Sequence, residues 1–242
     1  MSELNNIIEW IKAYFYENGK NCNAIIGVSG GCDSSVVAAL LVRALGKDRV
    51  IGILMPNGDQ YDIDYSYQLV NFLGIKHYVV NIKDAFNGLT NEIDKKLNLD
   101  SKSFDIYKTN TPSRIRMTTL YGISGIFNGR VANTCNLSED YIGYSTKFGD
   151  SAGDFAPIAN LTKTEVKKIG EELGLPANLI NKIPEDGMSN KSDEEKIGFS
   201  YAVLDKYIRT GEIDDLNIKE KIEKMHQANL HKLRLMPSYK RK

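Results

Sequence analysis

Near the N-terminus, apolar positions repeat with a helical period. Ile7, Ile8, Ile11, Tyr14 and Phe15 recur at spacings of three and four, which predicts an amphipathic first helix. The next apolar run, Ala24-Ile25-Ile26-Gly27-Val28, is continuous and too short for a helix, so it reads as a strand buried on both faces. A glycine turn at Ser29-Gly30-Gly31 leads into a helix over 34–45, closed by Gly46. Val50-Ile51-Gly52-Ile53-Leu54 predicts a second strand, 62–73 a helix ending at Gly74, and 77–81 a third strand. Alternation of strand and helix means a parallel sheet, because parallel neighbours need a crossover and helices supply it. Helices follow near 82–97 and 112–127, then a fourth strand over 130–134 and a fifth near 155–159.

Thr162-Lys163-Thr164-Glu165 is a capping box that opens a helix running to Gly174. Ser192 with Glu195 opens another, whose apolar face is Ile197, Tyr201, Leu204 and Ile208. A last amphipathic helix over about 218–230 leads to a basic tail, His231-Lys232-Leu233-Arg234. Between these, residues 184–193 are rich in Pro, Gly, Ser and Asn and predict a mobile lid loop. The expectation is one α/β domain over 1–242: an open parallel sheet of about five strands with helices on both faces, a core at about 20–180, and C-terminal helices and tail at 194–242.

Charge then narrows the function. Lys and Arg number 31 and Asp and Glu 31, so the net charge is zero, which excludes a nucleic-acid binder that works through its overall field. Any anionic ligand must be met locally. A hydrophobic share of 42% excludes a disordered chain. No apolar run reaches the ~18 residues of a membrane span, and the acidic start Met1-Ser2-Glu3 does not suit a signal peptide. Three cysteines, Cys22, Cys32 and Cys135, lack metal-ligand spacing and point to a reduced, cytoplasmic protein.

Chemistry concentrates in Ser29-Gly30-Gly31-Cys32-Asp33-Ser34, set between a strand and a helix. Glycines there let the backbone approach a phosphate and turn its N–H groups inward, while the helix aims its positive end at the same point. Asp33 beside a phosphate is repulsive unless a cation lies between them, and Mg²⁺ resolves the conflict. Neither G-x-x-x-x-G-K-[ST] nor G-x-G-x-x-G follows this strand. The hexapeptide resembles the PP-loop of the N-type ATP pyrophosphatases, which cleave ATP between its α and β phosphates. That resemblance implies a fold of the adenine nucleotide alpha hydrolase type and a phosphate cradle over 29–34.

Four further stretches are similar to the ammonia-dependent NAD synthetase family: Asn110 to Met117, matching N-x-x-[AS]-R-x-R-M at a helix start; Asn133 to Glu139 after a strand; Thr146 to Asp154, matching T-K-[YF]-G-D-x-x-x-D; and Leu161 to Thr164 with the later pair His231-Lys232. The resemblance implies a ligase that amidates deamido-NAD to NAD with ATP and ammonia through an adenylated carboxylate, releasing AMP and pyrophosphate. It implies Asp33 and Glu139 as Mg²⁺ ligands, with Asp33, Glu139 and Lys163 as the catalytic set. ATP contacts are implied at Gly27, Val28, Ser29, Gly30, Gly31, Cys32, Asp33, Ser34, Thr134, Lys163 and Glu185, and deamido-NAD contacts at Arg114, Lys147, Asp154, His231 and Lys232. A homodimer with the substrate site at its interface is also implied, with the aromatic helix around Tyr121, Ile123, Ile126 and Phe127 as a candidate surface.

Two departures stand out. Cys32 replaces the usual glutamine and places a thiol beside the phosphate site, where it would be open to oxidation. Glu185 follows Pro184 where many family members carry Thr or Ser, so that contact is either lost or shifted, for instance to Ser189. Arg114 and Arg116, two apart on a helix, cannot face the same way; Arg114 is taken as the ligand and Arg116 is left to a salt bridge. A glutamine-dependent enzyme would need an amidase domain for which 242 residues leave no room beside this sheet, so ammonia is the expected donor. The competing reading is a PP-loop enzyme adenylating a tRNA base, which would want paired cysteines and a basic surface.

Overall fold

Strand β1, Asn23–Gly27, sits inside a four-stranded parallel sheet, flanked by β2 (Val50–Leu54) on one side and β4 (Gly129–Val131) on the other, with β3 (Lys76–Val79) beyond β2. The computed structural model describes residues 2–97, 101–182, 192–234 and 236–241, without the side chains of 101–106. Ala24 and Ile26 of β1 point to one face and Ile25 to the other, and all are excluded from water. Burial on both sides explains why the strand is a continuous apolar run.

On the first face lie α1 (Glu3–Asn18), α2 (Cys32–Leu45), α3 (Ile63–Leu73), α7 (Lys163–Glu172) and the short α8 (Ala177–Ile180). The second face is covered by α5 (Ser101–Ile126), with α4 (Lys83–Leu97) packed against it. A separate apolar cluster joins α6 (Leu137–Ile142), α9 (Asp193–Ile197), α10 (Tyr201–Thr210) and α11 (Leu216–Leu233). Ile142, Leu204 and Ile222 are its fully buried members. The parallel sheet with helices on both faces is therefore as expected.

Four details differ from the sequence expectation. Among the described residues the sheet has four strands: the segment near Phe155 makes one parallel bridge, to Ala132, and goes no further. Pro157 has no N–H to extend that ladder. Helix α5 begins at Ser101 and runs through Pro112, so the Asn110 motif lies within a helix. The helix expected after Ser192 is two, because Gly198 ends α9 and Ser200 caps α10 through Val203 N–H. His231 and Lys232 lie in the last turn of α11, where cations suit the helix dipole, and not in a tail. The expected lid and Glu185 and Ser189 fall almost wholly within 183–191, outside the described residues.

Candidate active site

The chain leaves β1 for β2 on one side of the sheet and later reaches β4 on the other. A crevice at the carboxyl ends of the strands results where the order reverses, which is where open parallel sheets bind ligands. A cavity of about 730 Å³ occupies that place. Its wall after β1 is the loop 28–31. Gly30 there has φ of 71°, and a Cβ on it would come within 2.6 Å of Tyr65 and 2.7 Å of the Ser66 amide, so only glycine fits. Ser29 Oγ lies 3.0 Å from Ser34 Oγ and accepts from Gly31 N–H, while Ser34 and Ser35 hydroxyls donate to the Gly31 carbonyl. The loop is thus braced onto the first turn of α2, whose N–H groups open toward the cavity.

Three charged side chains meet beside this loop. Asp33 comes from the first turn of α2, Glu139 from the first turn of α6, and Lys163 from the first residue of α7. Lys163 Nζ bridges Asp33 Oδ2 and Glu139 Oε1, the latter at 3.0 Å. Asn136 ties the carboxylates together: its amide donates to Asp33 Oδ1 at 3.1 Å and its oxygen caps α6 by accepting Glu139 N–H at 3.0 Å. Burial pushes the Glu139 carboxyl up to about 7, against the pull of Lys163. Burial disfavours the Lys163 charge, but Asp33 and Glu139 outweigh it and hold the ammonium protonated well above its ordinary value.

Behind this cluster stands a support that sequence reading missed. Asp205 of α10 accepts from Ser138 Oγ at 2.5 Å, and from Thr164 N–H and Oγ at 2.8 and 2.6 Å; Ser138 Oγ in turn accepts Lys163 N–H at 3.0 Å. One buried carboxylate thereby locks the starts of α6 and α7, which carry Glu139 and Lys163. Tyr201, one turn earlier on α10, holds its ring 5.4 Å from Lys163 Nζ, and among the described residues its buried hydroxyl has no partner. The spacing of Tyr201 and Asp205 by four was the available signal.

The expected acceptor contacts fall into two groups. Arg114 Nε donates to the Lys147 carbonyl at 3.2 Å, Lys147 Nζ to the His231 carbonyl at 2.7 Å, and Lys232 Nζ to the carbonyls of Gly143 and Ser145 at 2.7 and 3.1 Å. These four residues form one rim, of which Lys232 lines the cavity. The loop they grip is tight: a Cβ on Gly149 would lie 2.5 Å from Ser113 Oγ, and Phe148 beside it is exposed with φ of 64°, a strained value for a non-glycine residue. Asp154 is not part of the rim. Its carboxylate accepts Val131 N–H at 2.7 Å and the Tyr121 hydroxyl at 3.3 Å, which pins the segment beside β4.

Of the expected ATP contacts within the described residues, all but Gly30 line the cavity, including Thr134 and Lys163. Cys32 is 4% exposed, and burial with Asp33 alongside pushes its thiol up to about 12, so the expected oxidation is opposed by a protonated, shielded sulfur. The salt bridge expected for Arg116 is absent among the described residues: Arg116 lines the cavity and donates from Nε to the Met55 carbonyl at 3.0 Å. Asp62 and Lys182, which line the cavity and pair at 2.5 Å, were not expected either.

The sequence profile of NAD synthase matches residues 3–242. The chain belongs to the NAD synthase family. The NH(3)-dependent NAD(+) synthetase of Pyrococcus horikoshii is 35% identical, with the match covering 96% of this chain and 93% of that relative. Among solved structures, an NMN synthetase from Francisella tularensis superposes with a TM-score of 0.87 at 28% identity over 99% of both chains. An NH3-dependent NAD synthetase from Campylobacter jejuni gives a TM-score of 0.75 at 27% identity, covering 99% of this chain and 100% of that one. Membership in this family sets aside the tRNA reading.

Proposed function

We propose that this protein amidates deamido-NAD to NAD with ATP and ammonia, releasing AMP and pyrophosphate. The observation that carries the reading is the meeting of Asp33 and Glu139, from turns after two different strands, on Lys163 beside the phosphate loop. The naming of relatives as NH(3)-dependent synthetases supports ammonia as the nitrogen donor.

Asp33 and Glu139 suit Mg²⁺: two hard carboxylates converge on a point that already accepts a cation, Lys163 Nζ, and the buried Tyr201 hydroxyl nearby lacks a partner among the described residues. When bound, the metal would supply positive charge to the ATP phosphates. The N–H groups at the start of α2 and the Gly30-Gly31 turn cradle the phosphates of the leaving group. Lys163 supplies a point charge as the nicotinate carboxylate attacks the α-phosphorus and pyrophosphate departs. Ammonia then attacks the acyl adenylate and AMP leaves. No side-chain nucleophile is required, so catalysis rests on positioning and electrostatic stabilisation. Arg114, Lys147, His231 and Lys232 hold the anionic acceptor at the rim, and Asp154 shapes the segment beneath it.

The whole chain acts as one synthetase domain. In the homodimer inferred here, exposed Tyr121 and Ile126 on α5 and Leu89 and Leu97 on α4 supply apolar surface for the partner. A monomer in light scattering under turnover conditions would reject that assembly. Among the described residues no helix is long and apolar enough to cross a membrane, and three buried free cysteines suit a reducing cytoplasm.

A second reading is amidation of the corresponding mononucleotide to NMN, favoured by the TM-score of 0.87 to the Francisella tularensis NMN synthetase against 0.75 to the Campylobacter jejuni enzyme. One experiment separates them. The protein is incubated with ATP, Mg²⁺ and either acceptor, with ammonium or glutamine, and NAD, NMN and pyrophosphate are measured. Higher kcat/KM for deamido-NAD upholds the first reading and higher kcat/KM for the mononucleotide the second. No product with saturating ammonium rejects both, and product from glutamine alone rejects ammonia dependence.

A further inference from the structure

Arg116 presents a charge that the fold does not neutralise. It lies on α5 one turn before Leu120, at the carboxyl ends of β1 and β2: its Nε donates to the carbonyl of Met55, the residue after β2, and Met55 and Leu120 are the side chains nearest Gly27, the last residue of β1. The Arg116 side chain is half-buried, burial disfavours its charge, and among the described residues no carboxylate pairs with it. Asp150 offsets its charge only from a distance, because that carboxylate already accepts from Ser113 Oγ at 2.6 Å and Thr146 N–H at 2.9 Å. Its remaining N–H donors are not among the buried unpartnered atoms, so they open on the cavity that Arg116 lines.

Holding an unpaired charge partly out of water is unfavourable, and the Nε bond to a neutral carbonyl does not offset it. A lysine or a neutral amide could hold Met55 equally well. What distinguishes arginine is a planar fork that matches two oxygens of one anion. The fork lines the same cavity as the phosphate loop and Lys232 of the basic rim.

We propose that Arg116 is a substrate-binding residue whose free guanidinium edge takes an oxyanion of the reacting pair, the acceptor carboxylate or the α-phosphate of ATP. This rests on the amidation reading above. Arg114 then serves the outer part of the acceptor, and Arg116 the reacting centre.

The test compares wild type with R116K and R116A, each checked for a wild-type melting transition. R116K keeps the length and charge and removes only the fork; its kcat/KM is expected to fall about 100-fold, in the range for loss of one preorganised donor group. Millimolar guanidinium is expected to raise turnover of R116A. Titration of each substrate alone identifies the anion: weakened ATP binding assigns the α-phosphate, and weakened deamido-NAD binding assigns the carboxylate. The proposal is overturned if R116K stays within threefold of wild type, or if folded R116A binds both substrates normally and ignores guanidinium. Wild-type protein that binds both substrates yet forms no product overturns the amidation reading alone, and the binding titrations still judge Arg116.

Discussion

The Asp33–Lys163–Glu139 cluster and the Arg114–Lys147–Lys232 rim gather cations around one cavity by opposite means. In the cluster, charge meets charge out of water: the Lys163 side chain is 5% exposed and its two carboxylate partners 17% and 16%. In the rim, Lys147 and Lys232 donate to main-chain carbonyls, and Arg114 stands exposed over another. A neutral carbonyl orients an ammonium without cancelling its charge. The rim therefore keeps its positive field for an incoming anion, whereas the cluster is a closed electrostatic unit that fails if any member is lost. On the proposed reading, the first region serves the chemistry and the second the affinity for the acceptor.

The largest test of this division removes one charge from the cluster. K163M or D33N is expected to lower kcat by about 10³-fold, as for loss of a preorganised transition-state contact, with the KM for the acceptor little changed. A variant that loses acceptor affinity while kcat holds would reverse the assignment. Next in size is D205A, which strips acceptors from the Thr164 amide, the Thr164 hydroxyl and Ser138 Oγ at once. An unsatisfied buried donor such as the Ser138 hydroxyl costs about 1–3 kcal/mol, and the donors of exposed Thr164 cost less. A melting temperature lower by about 5–10 °C should accompany a loss in kcat that S138A partly reproduces. Unchanged kcat in D205A, measured well below its melting temperature, would mean that Asp205 supports the fold alone.

The rim should respond more gently. K147A and K232A each raise the KM for deamido-NAD by about tenfold, which is 1.4 kcal/mol, and leave kcat within a small factor. Because the rim is open to solvent at Arg114 and His231 and only half-buried at Lys147 and Lys232, added salt should raise the wild-type KM and flatten the difference between wild type and variants. Equal effects on kcat and KM would place these lysines in the chemistry after all.

The same contrast explains what could be read from the sequence. Strand β1, the phosphate loop and α2 are continuous in the chain, so both fold and chemistry were legible from residues 24–45. The joining of Asp33, Glu139 and Lys163 followed only from a family resemblance, because Lys163 reaches Asp33 across 130 positions. The inward placement of Arg116 on the cavity has a signal in the sequence. Arg116 shares its helix face with Leu120 and Ile123, which pack against the sheet, whereas Arg114 aligns with exposed Thr118 and Tyr121. The sequence predicts a helix from about 112, yet α5 carries Pro112 in its interior and accepts one missing hydrogen bond. The fifth strand failed for the related reason that Pro157 cannot donate to a ladder.

The smallest effect concerns the brace outside the cluster. Glu165 closes the capping box of α7, the helix that carries Lys163, and pairs with Arg209 at 2.5 Å. Partial burial would raise its carboxyl, but the hydrogen bonds from Arg209 and Thr162 prevail and hold it below its ordinary 4.5. A carboxyl depressed in the folded state stabilises the protein above its unfolded value, and that contribution is lost as pH falls through the folded value. E165Q should therefore be less stable than wild type near neutral pH by at most about 1 kcal/mol, since the pair is substantially exposed to solvent. Between about pH 5 and pH 3 the wild-type melting temperature should fall more steeply until the two curves converge. Curves that stay parallel through that window would show that Glu165 acts as a cap through its shape alone, with no charge reaching the cluster it supports.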